Sequence, residues 1–344
     1  MPPVPDTRFG LFLNLGGNLA PDDKGVVQFT LEQARLAEAC GYDDLWVTEH
    51  HFINFGVNPA GLVMSSYLLG ATERIRVGTA VVLSPLYPPE QIAEQTALLD
   101  QLSGGRFDLG LGRGGYLKEY DVYGIPTSRW DDEPVRTAQT LIDLWQSGPA
   151  DQDLRVRPDP LSGPMPPLLL ATASDDGIAM AARHGLALQH YFATPLSNRI
   201  EFEHKYTALQ PDGAAPVDHL HTLIGIVTDE EQRDREWLSR SLAQSFADGR
   251  QPHVPQMVDR HPKGPDGNPL SAEAMAEFVA QAALIGPPAK MIEELNGFIE
   301  QTGARRIALY MEACADRDLT MRSIHRFATE VRPHLGHDAH QALA

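Results

Sequence analysis

The feature of this sequence that most limits its fold is a regular alternation of short apolar strands with helical segments. Eight strands can be counted, and a helical segment follows each one. The strands are predicted at residues 9–15, 43–49, 74–83, 105–114, 166–172, 186–192, 221–228 and 306–312. Strands that are apolar along nearly their whole length and joined by helices are typical of a parallel sheet covered by helices. Eight repeats over 344 residues favour a closed (β/α)₈ TIM barrel over a doubly wound open sheet.

The helical segments have their own start and stop signals. The first carries Val27, Leu31, Ala34 and Ala37 at helical spacing and is stopped by Gly41. Further helices are predicted at residues 60–71, 88–102 and 132–145. The second of these begins with prolines, which the first turn of a helix tolerates.

We expect residues 1–344 to form one barrel domain with a single irregular insertion. Residues 245–271 are rich in proline, glycine, histidine and charge, and they are too long for an ordinary connection between a helix and a strand. Such segments are lids or insertions, and here we expect a mobile lid.

Charge and composition exclude several classes of partner. The 28 Lys and Arg residues are outnumbered by 46 Asp and Glu, and the formal charge of −18 opposes binding to nucleic acid or to an anionic membrane surface. No run of about 18 apolar residues is present, and the start "MPPVPDTRFG" does not read as a secretion signal, so we expect a cytoplasmic protein. Cys40 and Cys314 have no CxxC partner, which predicts reduced thiols and no zinc site.

In a TIM barrel the active site lies at the C-terminal ends of the strands. The residues at those ends are Asn14, Glu49-His50-His51, Thr79-Ala80-Val81, Gly112-Arg113-Gly114, Thr172-Ala173-Ser174, His190-Tyr191 and Glu312. They form no cluster with the spacing of metal ligands, and adjacent histidines on an extended strand point to opposite sides. We therefore expect no metal, and only one of His50 and His51 facing the barrel axis.

Two of these strand ends suggest a phosphate site. Arg113 lies between glycines in "GLGRGGYLKEY" (110–120), where a guanidinium can bind phosphate through two hydrogen bonds or can pair with a nearby acid. In "ATASDDG" (171–177) a strand leads into a helix capped by Ser174, and free amides at a helix N-terminus attract phosphate. Because Asp175 and Asp176 would repel a dianion, we expect backbone amides rather than carboxylates to face the ligand. Together the two ends favour a phosphorylated cofactor.

His50 has two readings from the residues alone. It can be an ordinary hydrogen-bonded histidine at a strand end, or it can move a proton during catalysis, since a histidine titrates near neutral pH.

Several motifs in this order resemble one enzyme family. They are "FGLFLN" (9–14), "EHHF" (49–52), "VGTA" (77–80) and "LLDQLSGGRF" (98–107). With these, the chain resembles the bacterial luciferase-like flavin monooxygenases, closest to the luciferase α subunit, or alkanal monooxygenase type. The resemblance covers nearly the whole chain and is densest over the first 130 residues.

The resemblance implies a function and a set of site residues. A (β/α)₈ barrel of this type binds FMN as FMNH₂, adds O₂ at the flavin C4a carbon, and passes one oxygen atom from the C4a-peroxyflavin to an organic substrate. His50 matches the catalytic histidine, Arg113 the phosphate-binding arginine with residues 172–176 (Thr172, Ala173, Ser174) beside it, and Ala80-Val81 a cis peptide that supports the flavin ring. A separate NAD(P)H:flavin reductase is implied as a transient partner, and a homodimer through the early helices is expected.

Two positions depart from the luciferase α pattern. Gly112 stands where the α subunit has a cysteine beside the arginine, which argues against light emission. Thr172 and Ala173 stand where the α subunit has Glu and Ser, so the phosphate contacts of that loop do not carry over residue by residue.

The sequence does not identify the substrate. An apolar or aromatic compound is expected, with hydroxylation, epoxidation and Baeyer–Villiger insertion all open, and Phe55, Tyr87, Tyr116, His190 and Tyr191 are candidate pocket residues. The alternatives are a flavin- or deazaflavin-dependent dehydrogenase on the same barrel and a non-catalytic subunit like luciferase β.

Overall fold

A computed structural model describes residues 7–130, 132–146, 155–249, 267–268 and 270–335. Ten strands are present in this part of the chain. They are β1 (Arg8–Leu13), β2 (Asp44–Val47), β3 (Arg76–Thr79), β4 (Val82–Leu83), β5 (Phe107–Gly112), β6 (Leu168–Leu170), β7 (Ala187–His190), β8 (Leu220–Val227), β9 (Leu284–Gly286) and β10 (Arg306–Tyr310).

Eleven α-helices connect and flank these strands within the described ranges. They are α1 (Asp23–Ala39), α2 (Gly61–Ala71), α3 (Pro89–Ser103), α4 (Leu117–Tyr123), α5 (Glu133–Gln146), α6 (Asp175–His184), α7 (Leu196–Leu209), α8 (Glu231–Gly249), α9 (Ala272–Ala282), α10 (Pro288–Thr302) and α11 (Arg317–Arg326). Local signals fix their ends: Asp22 caps α1, and Ser174 caps α6 by accepting from the amide of Gly177.

All strand pairs are parallel, and the sheet closes on itself. β1 pairs with β2 on one side and with β10 on the other, and β10 in turn pairs with β8. The closed ring runs β1-β2-β3-β5-β6-β7-β8-β10, with β4 continuing the line of β3 along β5. This is the eight-stranded TIM barrel that the alternation predicts, and all eight predicted strands are confirmed. β9, which pairs with the end of β8 outside the ring, was not predicted.

Side chains alternate between two apolar layers, because successive residues of a strand point to opposite faces. Leu11, Leu45 and Val47 belong to the large cluster between barrel and helices, whereas Phe12 and Trp46 belong to the cluster inside the barrel.

The floor of the barrel is closed by a buried ion network. The guanidinium of Arg306 on β10 binds Asp108 on β5, lies 3.0 Å from Asp44 on β2, and stacks over the Trp46 ring. A buried charge is tolerated when it is paired and hydrogen-bonded, as these groups are. The network occupies the N-terminal end of the barrel, and in TIM barrels ligands bind at the opposite, C-terminal end.

Of the predicted lid, residues 245–249 are instead the last turn of α8, and most of the remainder lies outside the described residues. Among the described helices, none combines the length and the apolar character that crossing a bilayer requires.

Candidate active site at the C-terminal mouth of the barrel

The two histidines follow the end of β2 and turn to different sides. His50 turns toward Phe55 and Tyr116, with ring centroids at 5.0 and 5.8 Å. His51 is buried on the other side, between the Glu49 carboxylate at 3.3 Å and the Tyr123 hydroxyl at 3.2 Å. His50 therefore packs against two aromatic rings, and His51 has neighbours on both ring nitrogens.

A buried carboxylate that the sequence argument missed lies next to His50. Glu119 on α4 is fully buried, and its Oε1 atom lies 3.5 Å from His50 Nδ1 and accepts the His51 amide at 2.9 Å. The other carboxylate oxygen has no hydrogen-bond partner among the described atoms, and neither has His50 Nδ1 within hydrogen-bond geometry. The only sequence signal was its place in "YLKEYDVYG", soon after Arg113.

Glu49 connects the parts of the chain around the histidines. Its carboxylate accepts the amide of Gly61 at the start of α2 at 2.8 Å and the amide of Leu83 on β4 at 3.2 Å. Burial, followed by the nearby Glu49 carboxylate, raises the pKa of Tyr87 well above its ordinary value. Tyr87 thus stays protonated beside Glu49, and Glu49 fixes the frame from which His50 projects.

Glu312 plays a similar part at the end of β10. It accepts the amides of Asn14 and Leu15 and the side-chain amide of Gln33 at 2.6 Å. Burial raises the pKa of Glu312. This strand-end carboxylate is used to hold the end of β1 rather than to contact a ligand.

The Ala80–Val81 peptide bond is cis, as the resemblance implies. It lies between β3 and β4, and the Ala80 amide donates to the Val47 carbonyl at 2.6 Å. Gly112 lies on the neighbouring strand β5. A side chain at this position would clash with Val81, because a Cβ there would lie 2.6 Å from a methyl of Val81. The small size of Gly112 therefore makes room for Val81, and a close approach to a ligand is not needed to explain it.

Arg113 and the start of α6 lie on neighbouring strand ends. β5 pairs with β6, and the Ala171 amide donates to the Leu111 carbonyl at 2.8 Å, which brings residue 113 and residues 172–174 to the same sector of the mouth. Arg113 stacks over Trp130 at 5.2 Å, and its carbonyl accepts from the Tyr120 hydroxyl. Thr172 and Ser174 are joined at 3.1 Å through their hydroxyls.

Asp175, at the start of α6, points to a neighbouring helix. Asp175 is largely exposed and pairs with Lys205 of α7 at 3.0 Å. The carboxylate is thus engaged by a lysine on the neighbouring helix.

The candidate pocket residues separate into three groups. Phe55 and Tyr116 pack on each other at 5.7 Å and on His50, and Tyr87 lies beside Glu49. Tyr191 is half-exposed and packs on Phe192. His190 is not at the mouth with His50, since its Nε2 atom points outward to Glu203 of α7 at 3.0 Å.

Buried polar atoms inside the barrel provide a test of whether a flavin fits here. Gln189 projects inward and donates to the Thr79 carbonyl at 3.4 Å, while its Oε1 has no partner among the described atoms. Asn14 Oδ1 at the mouth also has no hydrogen-bond partner among the described atoms. Unpaired buried acceptors suit a ligand that brings N–H donors, and an isoalloxazine ring has them. The residues present at the mouth therefore fit a flavin.

Comparison with known proteins places these features in a family. The family model described as luciferase-like monooxygenase matches residues 7–306. The alkanal monooxygenase alpha chain of Photorhabdus luminescens is 25% identical over 90% of this chain and 92% of its own length.

Two solved structures have the same fold. Monooxygenase RslO1 from Streptomyces bottropensis superposes with a TM-score of 0.80 at 19% identity, over 95% of this chain and 99% of that one. The oxygenating constituent of 3,6-diketocamphane monooxygenase from Pseudomonas putida, a type II Baeyer-Villiger enzyme in complex with FMN, gives a TM-score of 0.72 at 16% identity, over 96% and 99% of the chains.

Proposed function

This chain belongs to the luciferase-like monooxygenase family, and from that premise we propose that it is an FMNH₂-dependent monooxygenase that oxygenates an apolar or aromatic organic substrate. The observation that carries the proposal is the mouth itself. His50 is placed there among aromatic rings and a buried carboxylate, on the rim that also bears Arg113 and the capped start of α6.

In this proposal the cofactor is held at two ends. Arg113 and the first turn of α6, including Thr172, Ala173 and Ser174, bind the phosphate, because a guanidinium and helix amides both favour an anion. Ala80 and Val81 support the ring, and Gln189 and Asn14 accept from its N–H groups. A bound FMNH₂ supplies two electrons that reduce O₂, so that one oxygen atom enters the substrate and the other leaves as water.

The side chains of this protein have two tasks in that reaction. His50 holds or transfers a proton beside the ring, with its orientation maintained by the Glu119 carboxylate. Phe55, Tyr116 and Phe246 exclude water, since their rings form one contiguous apolar wall at centroid distances of 5.7 and 6.1 Å. The two remaining candidates, Tyr87 and Tyr191, are proposed only as outer residues of the pocket.

The electrons are proposed to come from a separate NAD(P)H:flavin reductase. The diketocamphane enzyme is described as the oxygenating constituent of its monooxygenase, and this description supports a separation of oxygenation from flavin reduction.

A homodimer through α2 and α3 is the proposed assembly. These helices pack together, and their outer faces carry large exposed apolar side chains one helical turn apart. They are Val63 and Tyr67 on α2 and Leu98 and Leu102 on α3. Neighbouring apolar side chains exposed in this way mark a protein interface, and a second copy of the same face is self-complementary.

Mixing the reduced protein, prepared without oxygen, with labelled oxygen tests the function. Protein loaded with FMNH₂ is mixed with ¹⁸O₂ and a panel of apolar ketones, aldehydes and phenols, and products are weighed by mass spectrometry. We expect one ¹⁸O atom per product molecule, with His50→Ala giving no product while it still binds FMN. Unlabelled product, or hydride transfer from a deazaflavin without oxygen uptake, would instead support the dehydrogenase alternative. Absence of turnover together with flavin binding by the wild type would support the subunit alternative.

A further inference from the structure

A second group of titratable side chains lies outside the mouth. His190 at the end of β7, His221 on β8 and Glu203 on α7 come together between the barrel wall and the helix layer. Among the described residues, no other group of three His, Cys, Asp or Glu side chains brings its ligand atoms so close. The sequence hides this group because its members come from three elements.

The two histidines point outward because of strand alternation. His190 and His221 are paired in register on adjacent strands, so both side chains leave the sheet on the same face. Leu188, two residues before His190, belongs to the outer apolar cluster, whereas Gln189 projects inward. The group is therefore separate from the proposed flavin site.

The spacing of the three ligand atoms suits a small cation. Glu203 Oε1 lies 3.0 Å from His190 Nε2 and 3.2 Å from His221 Nε2, and all three atoms are within 4.8 Å of one another. A tetrahedral ion bonded at about 2.0–2.1 Å keeps its ligands about 3.3 Å apart. The two distances from Glu203 Oε1 to the histidine nitrogens are already close to this spacing.

The ionisation states also suit metal binding. Burial lowers the pKa of His190 to about 3 and that of His221 well below its ordinary value, so both rings are neutral and keep lone pairs at pH 7. Burial raises the pKa of Glu203 to about 7, so near neutral pH an ion competes with a proton for this carboxylate and, once bound, replaces the solvation that burial removes.

The positive charge of a nearby arginine lowers the affinity of the site for a cation. Arg199 of α7 is buried and donates to the carbonyls of Tyr191, Thr194 and Thr222, while its Nη1 atom has no partner among the described atoms. Its charge opposes a second cation, so binding weaker than that of a fully anionic zinc site is expected. His221 Nδ1 also lacks a partner.

We propose that His190, His221 and Glu203 form a binding site for one Zn²⁺-like divalent ion, with water as the remaining ligand. Two imidazoles and one carboxylate are a zinc ligand set. The histidines are 3% and 1% exposed, whereas the Glu203 side chain is 16% exposed and provides the route of entry and the place for water. The ion joins α7 to β7 and β8, and it does not depend on the flavin.

Metal retention tests the proposal. Untagged full-length protein is stripped with a chelator, incubated with Zn²⁺, gel-filtered and analysed for bound metal, with Co²⁺ absorption reporting the coordination geometry. We expect one Zn²⁺ per chain in the wild type and a tetrahedral Co²⁺ spectrum. Glu203→Gln and His221→Asn should each lower the affinity by about 100-fold or more, since loss of a direct ligand exceeds the 10–100-fold cost of outer-shell changes.

A matched control separates this site from surface histidines. His204 is the neighbour of Glu203 on α7 and is exposed, so His204→Ala should retain the ion. Equal retention by all variants, or none by the wild type, would overturn the proposal. If the variants do not fold, anomalous scattering from a wild-type crystal soaked in Zn²⁺ decides the question: a peak between the three side chains supports the site, and its absence refutes it.

Discussion

The Nδ1 atom of His50 lies 3.5 Å from the Glu119 carboxylate, which is fully buried and has one oxygen without a hydrogen-bond partner among the described atoms. A buried carboxylate in this position orients the imidazole. The relation connects α4 to the strand end that bears the histidine.

Replacing Glu119 by Gln should therefore impair turnover more than flavin binding. We expect the turnover rate to fall about 100-fold, at the lower end of the range for acid–base groups, with reduced oxygen released as hydrogen peroxide instead of reaching the substrate. Steady-state kinetics with a peroxide assay measures this. Asp121→Asn on the exposed face of the same helix is the control, and equal behaviour of the two variants would contradict the role given to Glu119.

Arg113→Ala should weaken binding of FMN without weakening binding of riboflavin. A hydrogen bond to a charged group contributes about 1.5–3 kcal/mol, so the loss should be about 10- to 150-fold for FMN alone. Flavin fluorescence titration measures both ligands. Arg129→Ala, which removes a guanidinium paired with Glu133, is the control. An equal loss for FMN and riboflavin would mean that Arg113 does not read the phosphate.

Gly110→Ala should destabilise the barrel. A Cβ there would lie 2.1 Å from the Thr79 carbonyl oxygen and 2.5 Å from Gln189 Oε1, so backbone must move. Overpacking of this kind costs about 1–3 kcal/mol of unfolding free energy. Urea unfolding measures it, with Gly115→Ala as the control because a Cβ at that position meets nothing within 4 Å. Unchanged stability in Gly110→Ala would show that the barrel wall is less tightly packed than described.

The buried histidines should make the protein less stable in acid. Burial lowers the pKa of His219 from 6.5 to about 4, so between those values the unfolded chain binds a proton that the folded protein does not, and stability falls as pH falls. The Leu188 amide donates a hydrogen bond to Nδ1 of His219 at 3.0 Å, and the side chain in His219→Asn can still accept it. The stability of this variant should depend less on pH, by about 1.4 kcal/mol per pH unit within that window.

Denaturation at several pH values in chelator measures the difference between the two proteins. Glu203, whose pKa is raised to about 7, acts in the opposite direction and is present in both proteins. Parallel pH profiles would contradict a neutral His219 in the folded protein.

The proposed dimer should depend on the apolar face of α2 and α3. Leu102→Glu places a charge on a side chain that is 69% exposed, so it should separate the dimer while the fold is retained. Leu209→Glu, on an exposed position of α7, should leave the assembly unchanged. Sedimentation velocity distinguishes the two, and a wild type that sediments as a monomer would remove the proposal.

The barrel could be predicted from sequence because each strand carries its own signal. Apolar runs such as residues 9–15 and 105–114 are bounded by turn residues. His50 and His51 lie beyond the end of β2, so strand alternation does not fix their directions. The prediction of one domain over residues 1–344 remains a prediction. So does the lid, apart from the correction at residues 245–249.

What sequence could not show are contacts between distant elements. Glu119 meets His50 only because α4 folds back across the mouth, and His190, placed in the pocket by its strand end, faces outward because Gln189 takes the inward position. The expectation of no metal rested on the strand ends alone, so it did not include a group of side chains that is completed by Glu203 of α7. β9, three residues long, has too little pattern to detect.

A structure of the protein with bound FMN would show whether the mouth of the barrel is the flavin site. We expect the phosphate within hydrogen-bond distance of the Arg113 guanidinium and the first turn of α6, with the isoalloxazine ring beside His50. An FMN molecule bound elsewhere while the mouth stays empty, or a ring far from the His50 imidazole, would contradict this expectation.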